Sequence, residues 1–364
     1  MKVLFLSSYA HLVLDRAETR VSGGAELQVA LLARELATRG IQTVIAAGDT
    51  GQADSAMWDG VRVRNAGRFQ TGRIADTASA MPQVMRVLRE EKPDWVFLLG
   101  WTTWLFFLHS LKPLFRYRLG FICGLDTEVN GGFRRENPVR GALFEYAMKR
   151  CDVRFAMTED QRRHFLAAGM PCGFYRNLIL PRSHPLDGRK DVDFLWVSRC
   201  QNIKRPHLFL DLAVAMPASK FQMVCPREDI ALWEAVSERA RQMPNVDFIE
   251  RVPYHEIQGV YDRAKVFVNT SEWEGWPNSF IQAGLGRAAL LSLDVNPDGL
   301  FQRFRLGLFA DGSFERMVAH AKSLVAAPEQ TRAMQAEVER FVLEMHSNDR
   351  ETSAFLHYLP PQPG

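Results

Sequence analysis

Two hydrophobic rhythms alternate along this chain. Short, nearly continuous apolar runs give way to stretches in which apolar residues recur every three or four positions. In the first half the continuous runs predict buried strands at residues 3–7, 43–47, 61–64, 95–99, 120–123 and 154–157. The helical spacing predicts helices at 25–38, 77–90, 104–111 and 138–149. Leu27, Ala30, Leu31 and Arg34 show that spacing, and Gly40 is a suitable stop. Strand and helix in alternation, joined by short turns, predict a parallel sheet covered on both faces.

The rhythm breaks at residues 180–190, a polar stretch rich in Pro and Gly that reads as a domain linker. It then restarts. Strands are expected at 192–198, 221–225, 246–249, 266–269 and 289–293, and helices at 206–215, 230–242, 255–264 and 278–285. Helical patterns at 314–326, 329–344 and 352–359 close the chain, before a Pro-rich end expected to fray. The fold class is therefore α/β, with two Rossmann-like parallel-sheet domains facing a central cleft. Residues 1–183 would form the first domain and 190–345 the second, followed by a C-terminal segment at 346–364. In such sheets ligands bind at the carboxyl ends of the strands.

Composition narrows the class. Of 364 residues, 47% are hydrophobic and 24% charged, as in soluble globular chains. The N-terminus lacks the apolar core of a signal peptide. The most apolar stretch, 95–115, is interrupted by Gly100, Thr102, Thr103, His109, Ser110, Lys112 and Pro113, too often for a membrane span. The five cysteines are scattered and form no CxxC pair, which disfavours a disulfide framework or zinc site and fits a reducing cytoplasm. Residues 1–180 hold 24 Lys+Arg against 18 Asp+Glu, whereas 181–364 hold 21 against 24. That mild basic excess suits an anionic membrane surface or phosphorylated ligands, or is simply a solvated face; it does not indicate nucleic acid.

Three strings carry candidate chemistry. Gly23 and Gly24 open a helix after the first strand, where a backbone without Cβ can approach an anion, or form a plain flexible turn. The string is not GxGxxG, so a dinucleotide site is disfavoured. Arg199 and Lys204 flank the loop after the first strand of the second half. Such a pair can grip a diphosphate and stabilise it as it leaves; surface charge is the alternative. The third string, Ser271-Glu-Trp-Glu-Gly-Trp-Pro-Asn-Ser279, runs strand, turn, helix. Glu274 sits at the turn, amides near Asn278 and Ser279 head the helix, and Gln282 shares a helix face with Asn278. A carboxylate beside a helix N-terminus can bind sugar hydroxyls or stabilise an oxocarbenium ion.

This third string resembles the EGxPN signature of family 4 retaining glycosyltransferases, which have the GT-B fold. The resemblance spans nearly the whole chain and resembles a subgroup acting on cell-surface polysaccharides. It implies that Glu274 lies by the donor sugar, with the backbone at Gly275 and Trp276 beside Asn278 and Ser279. In the family a second Glu follows eight positions on and holds the ribose hydroxyls; here Gln282 stands there, and an amide can still serve hydroxyls. Arg199 and Lys204 match the diphosphate pair, Gly23 and Gly24 the first glycine loop near the donor phosphates, and the backbone near Val252 the nucleobase contact. A family His near the donor is replaced by Cys123, in Ile122-Cys-Gly-Leu-Asp126. Asp126 is a candidate for acceptor or sugar hydroxyls, or a structural turn residue. The final helix would resemble one that crosses back to the first domain.

The resemblance implies transfer of a sugar from a nucleotide-diphosphate donor, with retained configuration, to a lipid-linked glycan acceptor in cell-surface polysaccharide biosynthesis. No cofactor or metal is expected, since no DxD-like string or histidine ligand spacing stands near the site. The expected location is cytoplasmic, peripheral at the inner membrane face. The aromatic stretch 101–109 with Lys112, Arg116 and Arg118 could touch lipid or pack in the core. Gln282 and Cys123 keep open a non-catalytic scaffold, and the fold keeps open a nucleotide-sugar epimerase.

Overall fold

The structure, a computed structural model, describes residues 1–15, 23–69, 74–182, 185–186 and 188–359, with the backbone alone for 74–76. Val21 and Ser22 of the glycine string, part of the linker and the Pro-rich tail lie outside the described residues. The chain divides into two units: residues 1–178 with 347–364, and residues 179–346.

Unit 1 contains strands β1 (Lys2–Leu6), β2 (Gln42–Ala47), β3 (Ser55–Trp58), β4 (Val61–Asn65), β5 (Trp95–Leu99), β6 (Arg118–Ile122), β7 (Val153–Ala156) and β8 (Gly173–Phe174). Its helices are α1 (His11–Leu14), α2 (Gly24–Thr38), α3 (Ile74–Glu91), α4 (Trp104–Phe115), α5 (Gly132–Glu136), α6 (Pro138–Met148) and α7 (Glu159–Ala167). The strands form one sheet in the order β3-β4-β2-β1-β5-β6-β7-β8. All neighbours are parallel except β3, which pairs antiparallel with β4 through the turn at Asp59 and Gly60, both at positive φ. That Asp-Gly turn is a hairpin signal, and the sequence reading passed over it. It also passed over α7, although Thr158 caps it and Glu159 and Asp160 fill its first turn. Close packing shows at Gly120 on β6, where a Cβ would lie 1.9 Å from the Phe97 ring.

Unit 2 contains β9 (Val192–Val197), β10 (Phe221–Val224), β11 (Val246–Ile249), β12 (Ala264–Asn269), β13 (Ala289–Ser292) and β14 (Gly307–Phe309). Its helices are α8 (Pro206–Ala215), α9 (Ile230–Arg241), α10 (Ile257–Asp262), α11 (Asn278–Leu285), α12 (Leu300–Arg303), α13 (Phe314–Ala326) and α14 (Pro328–Met345). The sheet is wholly parallel, in the order β11-β10-β9-β12-β13-β14. It separates two apolar cores. One holds Trp196, Phe209, Phe221 and Met317, the other Leu195, Phe267, Phe280 and Phe341.

The last helix, α15 (Asn348–His357), returns to unit 1. Ser347 caps it by accepting from the Arg350 amide. Phe355 is fully buried, its ring 4.6 Å from Phe155, 5.0 Å from Phe97 and 5.5 Å from Tyr175. Glu351 accepts from the Arg176 amide at 2.7 Å, and Arg39 reaches Asp349 and Ser353.

Both sheets have a point where the strand order reverses. In unit 1 it lies between β1 and β5, in unit 2 between β9 and β12. The connections leave to opposite faces there and open a crevice at the strands' carboxyl ends.

Candidate functional site

In unit 2 two loops leave that crevice. The loop after β9 closes in a single 3₁₀ turn, Asn202–Lys204, and then places Arg205 in the left-handed region at φ 46°. That conformation disfavours a side chain with a Cβ. Arg205 is held there by its neighbours: it donates to the carbonyls of Thr270 at 2.7 Å and Ser271 at 3.0 Å on the second loop and pairs with Asp294 just past β13. Thr270 Oγ1 donates to the Lys204 carbonyl at 2.7 Å and accepts from Trp196 Nε1 at 2.9 Å. The Glu272 amide donates to the Ile203 carbonyl at 2.9 Å. The two loops are thus cross-bonded along their length.

This frame brings Lys204 and Glu274 together. Lys204 Nζ lies 3.1 Å from Glu274 Oε2, both side chains being mostly buried. The other carboxylate oxygen accepts from Asn269 Nδ2 at 2.9 Å and Ser271 Oγ at 2.7 Å. Asn269 is fixed in turn because its Oδ1 accepts from the Ser271 amide at 2.9 Å. A carboxylate with three partners is oriented before any ligand arrives, and the lysine can exchange it for a phosphate oxygen. Asn269, Ser271, Thr270 and Arg205 escaped the sequence reading. Their signal was position alone: Asn269, Thr270 and Ser271 sit at or just past the carboxyl end of β12, and Arg205 immediately precedes α8.

The other predicted donor residues fall around this pair. Pro277 is the residue before α11, and Asn278 and Ser279, half-buried, form its first positions. Gly275 is buried. The Trp276 ring turns into the core against His346 at 5.1 Å and Phe341 at 6.3 Å, so only its backbone is left for a ligand. Gln282 is 7% exposed, and its Nε2 has no hydrogen-bond partner among the described residues. Val252, just past β11, is half-buried against the unit 2 core. Arg199 stands apart: it pairs with Glu228 at 3.0 Å, both well exposed, and makes no bond within the Lys204–Glu274 network.

Unit 1 carries the remaining candidates. Gly23 precedes α2, and its carbonyl accepts from the Leu27 amide at 3.0 Å. A cavity of about 70 Å³ opens at the unit 1 crevice. Ser7, Ser8 and Tyr9 line it beyond β1, Trp101 and Thr102 beyond β5, and Glu26 from the first turn of α2. The Ser8 hydroxyl is buried and has no partner among the described residues. Asp126 is half-buried and starts a 3₁₀ turn, Asp126–Glu128. The aromatic stretch is mainly core: Trp104, Leu105 and Leu108 are buried. Cys123 is also buried, and its thiol donates to the Leu125 carbonyl at 3.3 Å. Burial pushes that thiol up, which makes it a poor nucleophile.

A residue the sequence did not single out lies beside them. Glu128 is 3% exposed and accepts from the amides of Trp101 at 2.7 Å and Gly124 at 2.8 Å. Burial, the largest influence, pushes its carboxyl up from 4.5 to about 7, although these amides favour the charged form. A carboxyl raised in the fold leaves stability intact below its unfolded value and withdraws it as pH rises through the folded value. The window is therefore from 4.5 to about 7. The uncharged Glu128→Gln variant should gain on the wild type across that window, by up to about 3 kcal/mol. Urea melts at both ends would measure it. A stability difference that stays constant with pH would show that the carboxylate bears no desolvation cost.

Among the described residues no group of His, Cys, Asp or Glu could hold a metal ion, and no helix is long and apolar enough to cross a membrane.

The Glycosyltransferase Family 4 model matches residues 22–173. No curated protein matches the sequence. Similar solved structures include sucrose-phosphate synthase from Thermosynechococcus elongatus, at 13% identity and a TM-score of 0.78, covering 99% of this chain and 98% of that one. HepE from Anabaena, in complex with UDP-glucose, is 14% identical with a TM-score of 0.73, covering 99% of each chain. A UDP-forming α,α-trehalose-phosphate synthase from Burkholderia vietnamiensis is 13% identical with a TM-score of 0.69, again covering 99% of each. These likenesses establish the GT-B fold of two Rossmann-like domains over the whole chain.

Proposed function

For a chain of GT-B fold that carries a family 4 glycosyltransferase segment at residues 22–173, we propose retaining transfer of a sugar from a nucleotide-diphosphate donor to a glycan acceptor. The observation that carries this reading is the meeting of Lys204 and Glu274 across the unit 2 crevice. The family match ends before either residue, so their assignment rests on geometry and on the EGWPN string. Lys204 would exchange Glu274 for the donor diphosphate and neutralise the charge that grows as the sugar–phosphate bond breaks. Glu274, still held by Asn269 and Ser271, would then face the sugar hydroxyls. The first turn of α11 adds dipoles favourable to an anion. Arg199 would leave Glu228 for the same diphosphate, and the amide of Gln282 would meet the ribose. The acceptor hydroxyl loses its proton to the departing phosphate as its oxygen bonds to the anomeric carbon on the face the phosphate leaves.

Unit 1 would hold the acceptor, with Asp126 and the cavity lined by Ser8, Glu26 and Thr102 as its candidate contacts. The acceptor class we propose is a lipid-linked glycan in polysaccharide synthesis at the inner face of the cytoplasmic membrane. Supporting that setting, Val139, Leu143 and Tyr146 are exposed at helical spacing on α6 beside Arg140, Lys149 and Arg150. No metal or other cofactor is invoked.

Calorimetric titration with UDP, GDP, dTDP, ADP and CMP tests the donor site. One diphosphate should bind clearly best. In the Lys204→Ala variant that diphosphate should weaken about 10- to 100-fold, the worth of a charge-assisted contact, while the nucleoside binds unchanged. Equal losses for both would remove the assigned role, and no binding by the folded wild type would favour the scaffold.

A further inference from the structure

Glu128 ties together the loops that leave two adjacent strands, β5 and β6. One is the exit of β5, where Gly100 is at positive φ and Trp101 and Thr102 form a wall of the unit 1 cavity. The other is the exit of β6, from Cys123 to Asp126. One carboxylate oxygen takes the Trp101 amide and the other takes the Gly124 amide. Backbone reinforces the join, since the Gly100 amide donates to the Ile122 carbonyl at 2.9 Å. A fully buried carboxylate is a costly way to close a loop, because a neutral side chain avoids the desolvation. What only a carboxylate offers here is two acceptor oxygens, with no N–H of its own, to backbone donors on opposite sides.

We propose that Glu128 is a positioning residue for the acceptor site, setting the Trp101–Thr102 wall against the segment that presents Asp126. This rests on the assignment of the acceptor to unit 1. Glu128 acts through these loops and touches no substrate. In Glu128→Gln one oxygen still accepts from Trp101, but the new amide group confronts the Gly124 N–H, donor against donor. The join is then half broken while shape and volume are kept.

Two measurements test it on the full-length Glu128→Gln variant, after a melting curve confirms that it is folded. The first is amide hydrogen exchange. Peptides covering residues 99–105 and 122–128 should exchange at least tenfold faster, and those covering 198–206 and 270–280 at the wild-type rate. Unchanged exchange at Trp101 and Gly124 would overturn the proposal whatever the enzyme does. The second divides the nucleotide-sugar that supports turnover between water and a sugar acceptor, probed with octyl glycosides of glucose, galactose, mannose and N-acetylglucosamine. Transfer should fall at least tenfold relative to hydrolysis, through the acceptor KM, with the donor KM within twofold. Parallel loss of transfer and hydrolysis would reduce Glu128 to a merely structural role. Absence of diphosphate binding and of turnover in the wild type would instead sink the functional reading, and the exchange result would still decide whether Glu128 joins the loops.

Discussion

Replacing Glu274 by Ala should lower sugar transfer by roughly 10²- to 10³-fold, the usual worth of one oriented polar group at a reacting centre. Nucleotide diphosphate should bind no more weakly than before. The second half of that expectation comes from the ion pair. In the unliganded protein Glu274 competes with phosphate for Lys204 at 3.1 Å. Without the carboxylate, Lys204 is released to the diphosphate, and the affinity should hold or rise. Lys204→Ala moves affinity the other way, so the two variants form a signed pair. The loss should be in kcat as well as kcat/KM, because the carboxylate serves a sugar that gains positive charge as its bond to phosphate breaks. Stability should fall by about 1–3 kcal/mol, because Lys204, Asn269 and Ser271 each lose a partner in a mostly buried network. Normal turnover in a folded Glu274→Ala protein, measured beside its UDP titration, would defeat the site assignment.

Phe355→Ala should cost unit 1 about 3–5 kcal/mol, the range for emptying a fully buried aromatic position. The ring closes a cluster with Phe97, Phe155 and Tyr175, side chains from three strands or their exits. Its removal opens a cavity in the middle of the sheet's cover, where a rigid backbone cannot collapse. Scanning calorimetry should show the transition of unit 1 shifted down and that of unit 2 in place. A loss below 1 kcal/mol would show that α15 packs more loosely than its burial implies.

Most strands and helices were readable because buried parallel strands and covering helices leave different periodicities. The EGWPN string was readable because a turn between strand and helix needs particular residue types at fixed offsets. What escaped did so for different reasons. β14 has three residues, too few for any pattern to show. β3 is an edge strand, whose exposed, irregular sequence carries little pressure toward alternation. Glu128 was invisible for another reason: a carboxylate in a short polar stretch looks solvated, and only the fold reveals that two loops close over it. Its partners are backbone amides, which leave no trace in the sequence. The same holds for Arg205, whose partners are two carbonyls and an aspartate 89 positions away. Arg199 and Lys204 were read together as a pair, yet each has its own acidic partner in the structure. Spacing along a loop does not fix which way two long side chains turn.

The division of the chain bears on how the protein is made. Unit 1 needs residues from 347 onward, while unit 2 is continuous from 179 to 346. On the ribosome, the first sheet is therefore synthesised early yet waits, with the Phe97–Phe155 surface uncovered, until the residues of α15 have been made. The intervening unit can complete its own core in that interval. The interval of exposure is when a chaperone would be most useful, and a ribosome stalled between unit 2 and α15 would release a chain with unit 2 finished and unit 1 unsealed.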